Sequence, residues 1–503
     1  MCYCGLGHGQ NSKVAIRRIG AAIFIMSSDT NIDHKNGEDQ ATWKRLFSGD
    51  LLIYTLIINL GILLFAVDTF VITTIMPTVI KDIGGTELYS WPVMIYMVGA
   101  IAGAASAGPV REIFGRRNGY VIAGLLFLIG NLGAAYAPNI EILIAWRLLQ
   151  GLGGGLIISQ SYGLIGDVYP PELRTRILSL ISTTWGVATV FGPAFGGVFA
   201  EFGSWRGAFW AIVPLALIFC ALVWRHIQHS TGDAKIDNFP VTRLLLFALG
   251  ILCVGLTSQT DNNTYRAGLI LGAVAMVTYA MVRDAGSSNR MFPKNTLVPT
   301  TAVGSSFWFL LFFTFTFIVV ILYMTLYLQV LHDQTPIVAA YISALFSFTW
   351  TVGALLVASW QGRAIQIAVI GGGILIVMGA VGLTLFSVEG PVIMIGASLA
   401  VMGMGVGTSN NHVIALTIEC AQPGEETLVA SSVQTMRTMG LAFGSAFAGL
   451  IANSAGLSEG AKPDIVARAV DLLNRAGIAL AVLTLLSLVI FYQYYQRDKS
   501  RNQ

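Results

Sequence analysis

Apolar residues in this chain come in long runs separated by short polar links. Fourteen runs can be marked off, at 51–79, 92–110, 119–136, 140–166, 177–200, 208–225, 243–259, 266–283, 301–330, 337–359, 366–387, 391–416, 428–453 and 476–494. Each is near the roughly 20 residues, at 1.5 Å per residue, that carry a helix across the hydrocarbon core of a bilayer. The pattern predicts an all-α membrane protein with fourteen transmembrane helices. Only the polar stretch from Arg283 to Lys294 separates runs eight and nine, and residues 458–475 read as a polar segment with helical character. The first 25 residues differ from the rest. Arg17-Arg18 and the apolar Ile19–Met26 mimic a short signal sequence without a convincing cleavage site, so a start at Met26 rather than Met1 is the expectation. Ser27 to Asp50 reads as a polar tail.

Composition agrees with the pattern. Of 503 residues, 55% are hydrophobic and 11% charged, where soluble domains carry about 25% charged residues. With both termini on the cytoplasmic side, 21 of the 29 Lys and Arg fall inside and 6 outside, while Arg147 and Arg437 lie within runs. That is the positive-inside bias, and moving the count by one helix spoils it. The net charge of +3 is spread over the links, which argues against a nucleic-acid partner. Cys2, Cys4, Cys220, Cys253 and Cys420 form neither a disulfide framework nor a zinc spacing, so no metal is expected. There is no phosphate-binding loop to couple ATP and no nucleophile–base constellation, so the chain does not read as an enzyme.

Several polar residues interrupt the runs. Asp68 sits mid-run with Thr69 and Thr73 nearby and Pro77 beyond. A carboxylate there costs several kcal/mol and must face a cavity or a partner, either as a structural anchor or as a carrier of protons. In run four, Arg147, Gly151, Gly155 and Ser159 are spaced by four and share a helix face, beside Gln150. An arginine so placed needs a carboxylate, backbone carbonyls or water; Asp68 is a candidate, at a distance the sequence does not give. In run five, Ala188, Gly192 and Gly196 offer a face of small residues for close packing, Gly197 follows, and Pro193 should kink the helix. The stretch serves as a tight seam, as a hinge, or as both. Between runs two and three, Gly108 should let backbones close up, Gly115 should form a tight turn, and Glu112, Arg116 and Arg117 should lie at the cytoplasmic interface. Run nine is strongly aromatic, and Phe312 with its neighbours fits lipid-facing packing or a wall for a lipophilic substrate. Asn411 and His412 in run twelve, and Gln434 and Arg437 in run thirteen, are further candidates to line a cavity, with a structural role for the histidine equally open. The run-thirteen arginine implies a partner or an anionic ligand.

Four of these stretches carry a resemblance. Ala66-Val-Asp-Thr…Met-Pro77, Gly108-Pro-Val-Arg-Glu-Ile-Phe-Gly-Arg-Arg117, Arg147-Leu-Leu-Gln-Gly-Leu-Gly and Gly192-Pro-Ala-Phe-Gly-Gly197 resemble, in order, motifs of the major facilitator superfamily. They point to its fourteen-helix drug:proton antiporter branch. Glu112 stands where the family has Asp, Arg111 where it has a small residue, and Ala188 where the antiporter motif begins with Gly. Gln361-Gly362-Arg363 could be a decayed copy of the loop between runs two and three, as duplicated halves would leave. The resemblance implies a major facilitator fold of two six-helix bundles, at 51–225 and 300–495, with two extra central helices inserted at 226–299 and short tails at 1–50 and 496–503. The inserted pair, with no charge in its apolar core, is expected to carry no chemistry. The implied function is secondary active transport: export of small lipophilic or cationic compounds by proton antiport, driven by the proton gradient with no cofactor. Asp68 would be the coupling site and Arg147 its modulator. Gly108, Glu112, Gly115, Arg116 and Arg117 would form a gating loop, and Gly192, Pro193, Gly196 and Gly197 a hinge. Gln150, Phe312, Asn411, His412, Gln434 and Arg437 would line the substrate cavity. The partners are a small molecule, protons and the lipid bilayer, with a periplasmic adaptor and outer-membrane channel as further partners the branch allows. The implied location is a prokaryotic inner membrane, with both termini cytoplasmic. The alternatives are the same fold exporting one metabolite, lipid or siderophore, or a membrane receptor or enzyme.

Overall fold

The computed structural model describes residues 44–202, 204–229, 241–260, 262–287, 290–358, 360–422 and 425–502, and these are almost wholly helical. Residues 1–43, with Cys2, Cys4 and the choice of start, and 230–240 of the first link lie outside the described residues. The first half comprises α1 (Gly49–Ile83), α2 (Trp91–Ala135), α3 (Ile140–Val168), α4 (Pro171–Glu201) and α5 (Trp205–His226). A pair follows, α6 (Val241–Leu256) and α7 (Asn263–Ala285). The second half comprises α8 (Ala302–Ile321), α9 (Met324–Leu331), α10 (Pro336–Val357), α11 (Arg363–Phe386), α12 (Val392–Glu419), α13 (Glu426–Ser454) and α14 (Pro463–Asn502).

Twelve helices among the described residues are long and apolar enough to cross a membrane. The difference from fourteen runs has two sources. Runs two and three form one 45-residue helix, α2, interrupted only at Gly115, whose φ of 78° and ψ of 167° are not helical. Its length of about 68 Å is more than two crossings of hydrocarbon. Run thirteen, α13, is diluted by Gln434, Thr435, Arg437, Thr438, Gly440 and Gly444. It packs against α2, α6, α8 and α14, so protein rather than lipid covers much of its surface. The polar segment at 458–475 is also resolved: helix begins at Pro463 and continues into the last run, burying Val466, Ala469, Val470 and Leu473.

The two halves repeat one packing scheme. In the first, α1 packs on α4, α2 on α3, and α2 also on α5; in the second, α8 packs on α13, α10 on α12, and α11 on α14. The halves join through α4 against α10 and α13 against α2. Small residues make the seams. A methyl on Gly151 would lie 2.1 Å from the Tyr96 carbonyl oxygen, and one on Gly155 2.1 Å from that of Ala100. In the second half a methyl on Gly403 or Gly407 would likewise run into the carbonyl oxygen of Phe346 or Trp350. Such backbone-to-backbone approach is what membrane helices use where lipid removes the hydrophobic drive to associate. The repeat extends to the loops, since Gly362, ahead of α11, has φ +57° where Gly115 has +78°.

On the face opposite the chain termini the halves are held together. Asn453 donates to the Glu87 carbonyl at 2.6 Å, Thr325 donates to the Thr73 carbonyl at 2.8 Å, and Tyr89 stacks on Tyr323 with centroids 4.6 Å apart. The Trp-Arg turn closes the same face: Trp205 donates to Asp82 at 3.0 Å, and Arg206 pairs with Asp82 while donating to the Ala137 carbonyl.

The inserted pair is held by structural bonds at both ends. Arg243 and Asp284 form a buried ion pair between α6 and α7, and the Asp284 carboxylate also accepts from the backbone N–H groups of Met291 and Phe292. That clamps the following link to the pair. At its other end Gln259 donates to the Glu87 carbonyl and Ser258 accepts from Asn453, so the insertion braces the closed face.

One expectation for the motif loop fails. A methyl on Gly108 would meet nothing within 4 Å, so this glycine serves no close approach. The contrast is testable. Gly155→Val should destabilise the purified protein by about 3 kcal/mol or more, seen as a drop in apparent melting temperature, because backbone cannot yield. Gly108→Ala should leave it unchanged or slightly higher. Equal melting of Gly155→Val and the parent would refute the seam.

Candidate functional site

Helical register brings Asp68 of α1 to Arg147 and Gln150 of α3, and all three are fully buried. Arg147 Nη1 donates to Asp68 Oδ2 at 2.6 Å and to Gln150 Oε1 at 3.0 Å, and Gln150 Nε2 donates to Asp68 Oδ1 at 2.8 Å. The guanidinium lies 4.1 Å over the Tyr96 ring, and its Nε donates to the Pro92 carbonyl at 3.3 Å. Phe65 and Trp185 complete an aromatic collar. The spacing of Arg147, Gly151 and Gly155 explains the depth of the site. The glycines draw α3 onto α2, and the arginine on the same face must then lie along α2. Its Nη2 and the Tyr96 hydroxyl are buried with no hydrogen-bond partner. Both carboxylate oxygens are occupied, so the pair is tightly held yet keeps two unsatisfied polar atoms beside it.

The cavity lies one residue away. Thr69, Phe70, Thr73, Val93, Met97, Thr189 and Pro193 from the first half face Phe317, Ile321, Thr325, Ser343, Ser347 and Leu441 from the second, around a free volume of about 60 Å³. None of the six residues expected to line a cavity lines this one. Gln150 is locked to Asp68. Phe312 stacks on Trp308 with centroids 5.3 Å apart, and Phe317, one turn on, takes the wall position. Asn411 accepts from Asn410, and His412 bonds the Val357 carbonyl at 3.0 Å, fastening α12 to the end of α10. Gln434 lies on α13 outside the wall. Arg437 stands one turn from Leu441, beside the edge-to-face pair of Phe313 and Trp350. Lipid-facing packing does not describe run nine either, since Phe307, Phe309 and Phe313 are buried in protein. The threonines and serines of the wall escaped sequence reasoning because a hydroxyl within an apolar run more often bonds its own backbone.

The small-residue face of α4 meets the other elements on two sides. Ala188 is fully buried, Gly192 lies against the Phe70 side chain, and Gly196 lies against Val71 and Thr74, all on α1. Gly197 faces the other way, where a methyl would come within 3.0 Å of Ile337 Cα on α10. The helix continues through Pro193, which joins the cavity wall. On the second half Gly440 and Gly444 place α13 against α8 in the same manner.

In the motif loop the acid is not Glu112, which is exposed and forms no ion pair among the described residues. Arg111 and Arg116 both reach Asp167 at the end of α3, at 2.5 and 3.3 Å, and Arg117 stacks over Trp224 at 4.4 Å. Arg111 is the departure from the family pattern, and Asp167 is the partner that accommodates it.

Comparison with known proteins follows the geometry. The sequence profile of the Major Facilitator Superfamily matches residues 58–445. A probable multidrug-efflux transporter of Mycobacterium tuberculosis is 28% identical over 480 residues, 92% of this chain and 99% of the relative. Multidrug resistance protein 3 of Bacillus subtilis is 25% identical over 318 residues, 61% of this chain and 60% of the relative. The crystal structure of a D-xylose–proton symporter has the same fold, with a TM-score of 0.60 at 17% identity, covering 87% of this chain and 97% of that one.

The buried cluster makes a stability prediction. Arg147→Gln leaves Asp68 without its charge partner and should cost about 3–5 kcal/mol. Adding Asp68→Asn should restore at least about 1 kcal/mol of that loss. Additive losses in apparent melting temperature would mean the two groups are not coupled.

Proposed function

The chain belongs to the Major Facilitator Superfamily, and we propose that this membrane transporter exports small lipophilic molecules in exchange for protons, by alternating access to the cavity between its halves. The observation that carries the reading is the position of Asp68. It is a fully buried carboxylate, paired with Arg147, whose chain neighbours Thr69 and Phe70 form the cavity wall. The names of the relatives that match most of this chain supply the direction, out of the cell.

In the mechanism we infer, Asp68 is ionised while it holds Arg147 and Gln150. A proton arriving through the cavity neutralises it, and the attraction that draws α1 to α3 is lost. Arg147 then keeps only the Pro92 carbonyl, the Tyr96 ring and Gln150. The shift of α1 is passed to α4, which touches α1 through Gly192 and Gly196 and the second half through Gly197. Contacts between small residues and backbone can slide with little steric penalty, so α4, with α13 as its counterpart, is the seam about which the halves rock. On the termini side the Arg111–Asp167–Arg116 cluster ties α2 to α3, so the first half moves as a unit. The proton gradient supplies the energy, and no cofactor takes part. Both termini face the cytoplasm of a prokaryotic inner membrane, so the face closed by Asn453, Thr325 and the stacked Tyr89 and Tyr323 is the outer one.

The test is proton flux in proteoliposomes energised inside-acid and reported by a pH-sensitive dye. A panel of lipophilic compounds should include some that collapse the gradient with the parent protein, and Asp68→Asn should fall to the level of protein-free vesicles. Equal responses from parent and variant would remove Asp68 from the coupling role. No response from any compound would remove proton-coupled drug export and leave a narrower metabolite or lipid cargo.

A further inference from the structure

Arg437 has no carboxylate to meet. It lies on α13, partly buried, with its guanidinium 5.2 Å from the Trp350 ring centroid and 5.5 Å from that of Phe313, and it makes no hydrogen bond or ion pair among the described residues. The other in-span arginine, Arg147, receives a carboxylate, an amide oxygen, a backbone carbonyl and a ring. The two aromatic rings offset part of the cost of holding a cation out of water. They supply no hydrogen-bond acceptor, and five guanidinium N–H donors remain to be used.

The guanidinium and its two rings lie one turn beyond the cavity wall. Phe313 precedes the wall residue Phe317 by four positions, Trp350 follows Ser347 by three, and Arg437 precedes Leu441 by four. One helical turn separates each member of the trio from a wall residue on its own helix, so the three form a shelf at the end of the cavity nearer the termini. No carboxylate lines the cavity among the described residues. Its hydroxyls are turned to backbone carbonyls: Thr69 donates to Phe65, Thr73 to Phe70, Thr189 to Trp185 and Ser343 to Ala339. Asp68, the nearest acid, has both oxygens engaged. The electrostatic character of the site is therefore a single positive charge with free donors, beneath an apolar and weakly polar wall.

We infer that the cavity takes its cargo by an anionic group held on Arg437, so that the substrate class is lipophilic organic acids, with an apolar body against Phe317, Met97 and Leu441. The inference rests on the exporter reading and sharpens it, since the first expectation included lipophilic cations. A carboxylate fits the guanidinium fork in a bidentate fashion. A lipophilic cation would meet Arg437 as a like charge with no counter-ion in the wall.

The test is equilibrium binding to the purified full chain at neutral pH. Pyrenebutyrate, its methyl ester and a pyrenyl trimethylammonium of matched length are titrated, and quenching of tryptophan emission is read. The acid should bind about tenfold or more tighter than the ester and the cation. Arg437→Gln should bring the acid within about twofold of the ester with ester binding unchanged, and Arg437→Lys should keep part of the preference. Acid binding no tighter than ester binding in the parent protein would overturn the inference, and so would a preference that survives Arg437→Gln. The parent comparison decides alone if the glutamine variant does not fold. Binding is read without a gradient, so it separates the two proposals. An acid preference without proton-driven movement sinks the exporter reading and spares Arg437, and proton-driven movement of the ester without an acid preference does the reverse.

Discussion

Hydrocarbon offers no hydrogen bonds, and that constraint accounts for the placement of nearly every polar group in the spans. Each charge or amide must find its partner inside the protein. Asp68, Arg147 and Gln150 answer one another, with the Pro92 carbonyl and the Tyr96 ring closing the shell. Asp284 takes Arg243 and two backbone N–H groups. Against that pattern Arg437 stands out, because it lies beside two rings and no group among the described residues accepts from it. A group in hydrocarbon that is left short of partners by the protein is where a ligand gains most by arriving.

The same solvent removes the usual drive for helices to associate, so the seams depend on how closely backbones can approach. Gly151 and Gly155 solve this for α3 on α2, and Gly403 and Gly407 for α12 on α10. The two halves use one solution at equivalent places, even to the left-handed glycines Gly115 and Gly362 that turn the chain between successive spans. Side chains interdigitate little at such seams. Specific bonds add to the seams at the ends: Asn453 and Thr325 bond across the two halves on one face, and the Asp167 cluster bonds α2 to α3 on the other. The inserted helices α6 and α7 join the first of these sets through Ser258 and Gln259, which makes them a brace rather than a spacer.

The motif loop shows how a departure from a family pattern is absorbed. A small residue replaced by Arg111 brings a second positive charge beside Arg116. Asp167, at the end of the neighbouring helix, takes both. Glu112, the acid within the loop, is left in the open. The cluster is only partly exposed, so its Coulomb energy exceeds that of an ordinary surface pair without the desolvation cost of a buried one.

Much of this was legible along the chain. The length of the apolar runs determined the helical class, because only a helix satisfies its own backbone over that distance in lipid. The spacing of Arg147 with Gly151 and Gly155, and of Ala188 with Gly192 and Gly196, identified the faces that pack, because a period of 3.6 residues is a property of the chain alone. The turn at Gly115 and the need of Arg147 for a partner could also be read. What the cavity is made of could not. Its wall draws residues from seven helices, and whether Thr73 meets Thr325, or whether Asp167 rather than Glu112 meets Arg111, depends on how helices distant in sequence are set against one another. Phe312 and Phe317 are alike in the sequence and opposite in placement. His412 could equally have entered a cavity until α10 ended beside it. Periodicity assigns a residue to a face of its own helix, and only the packing of the two halves decides what that face meets.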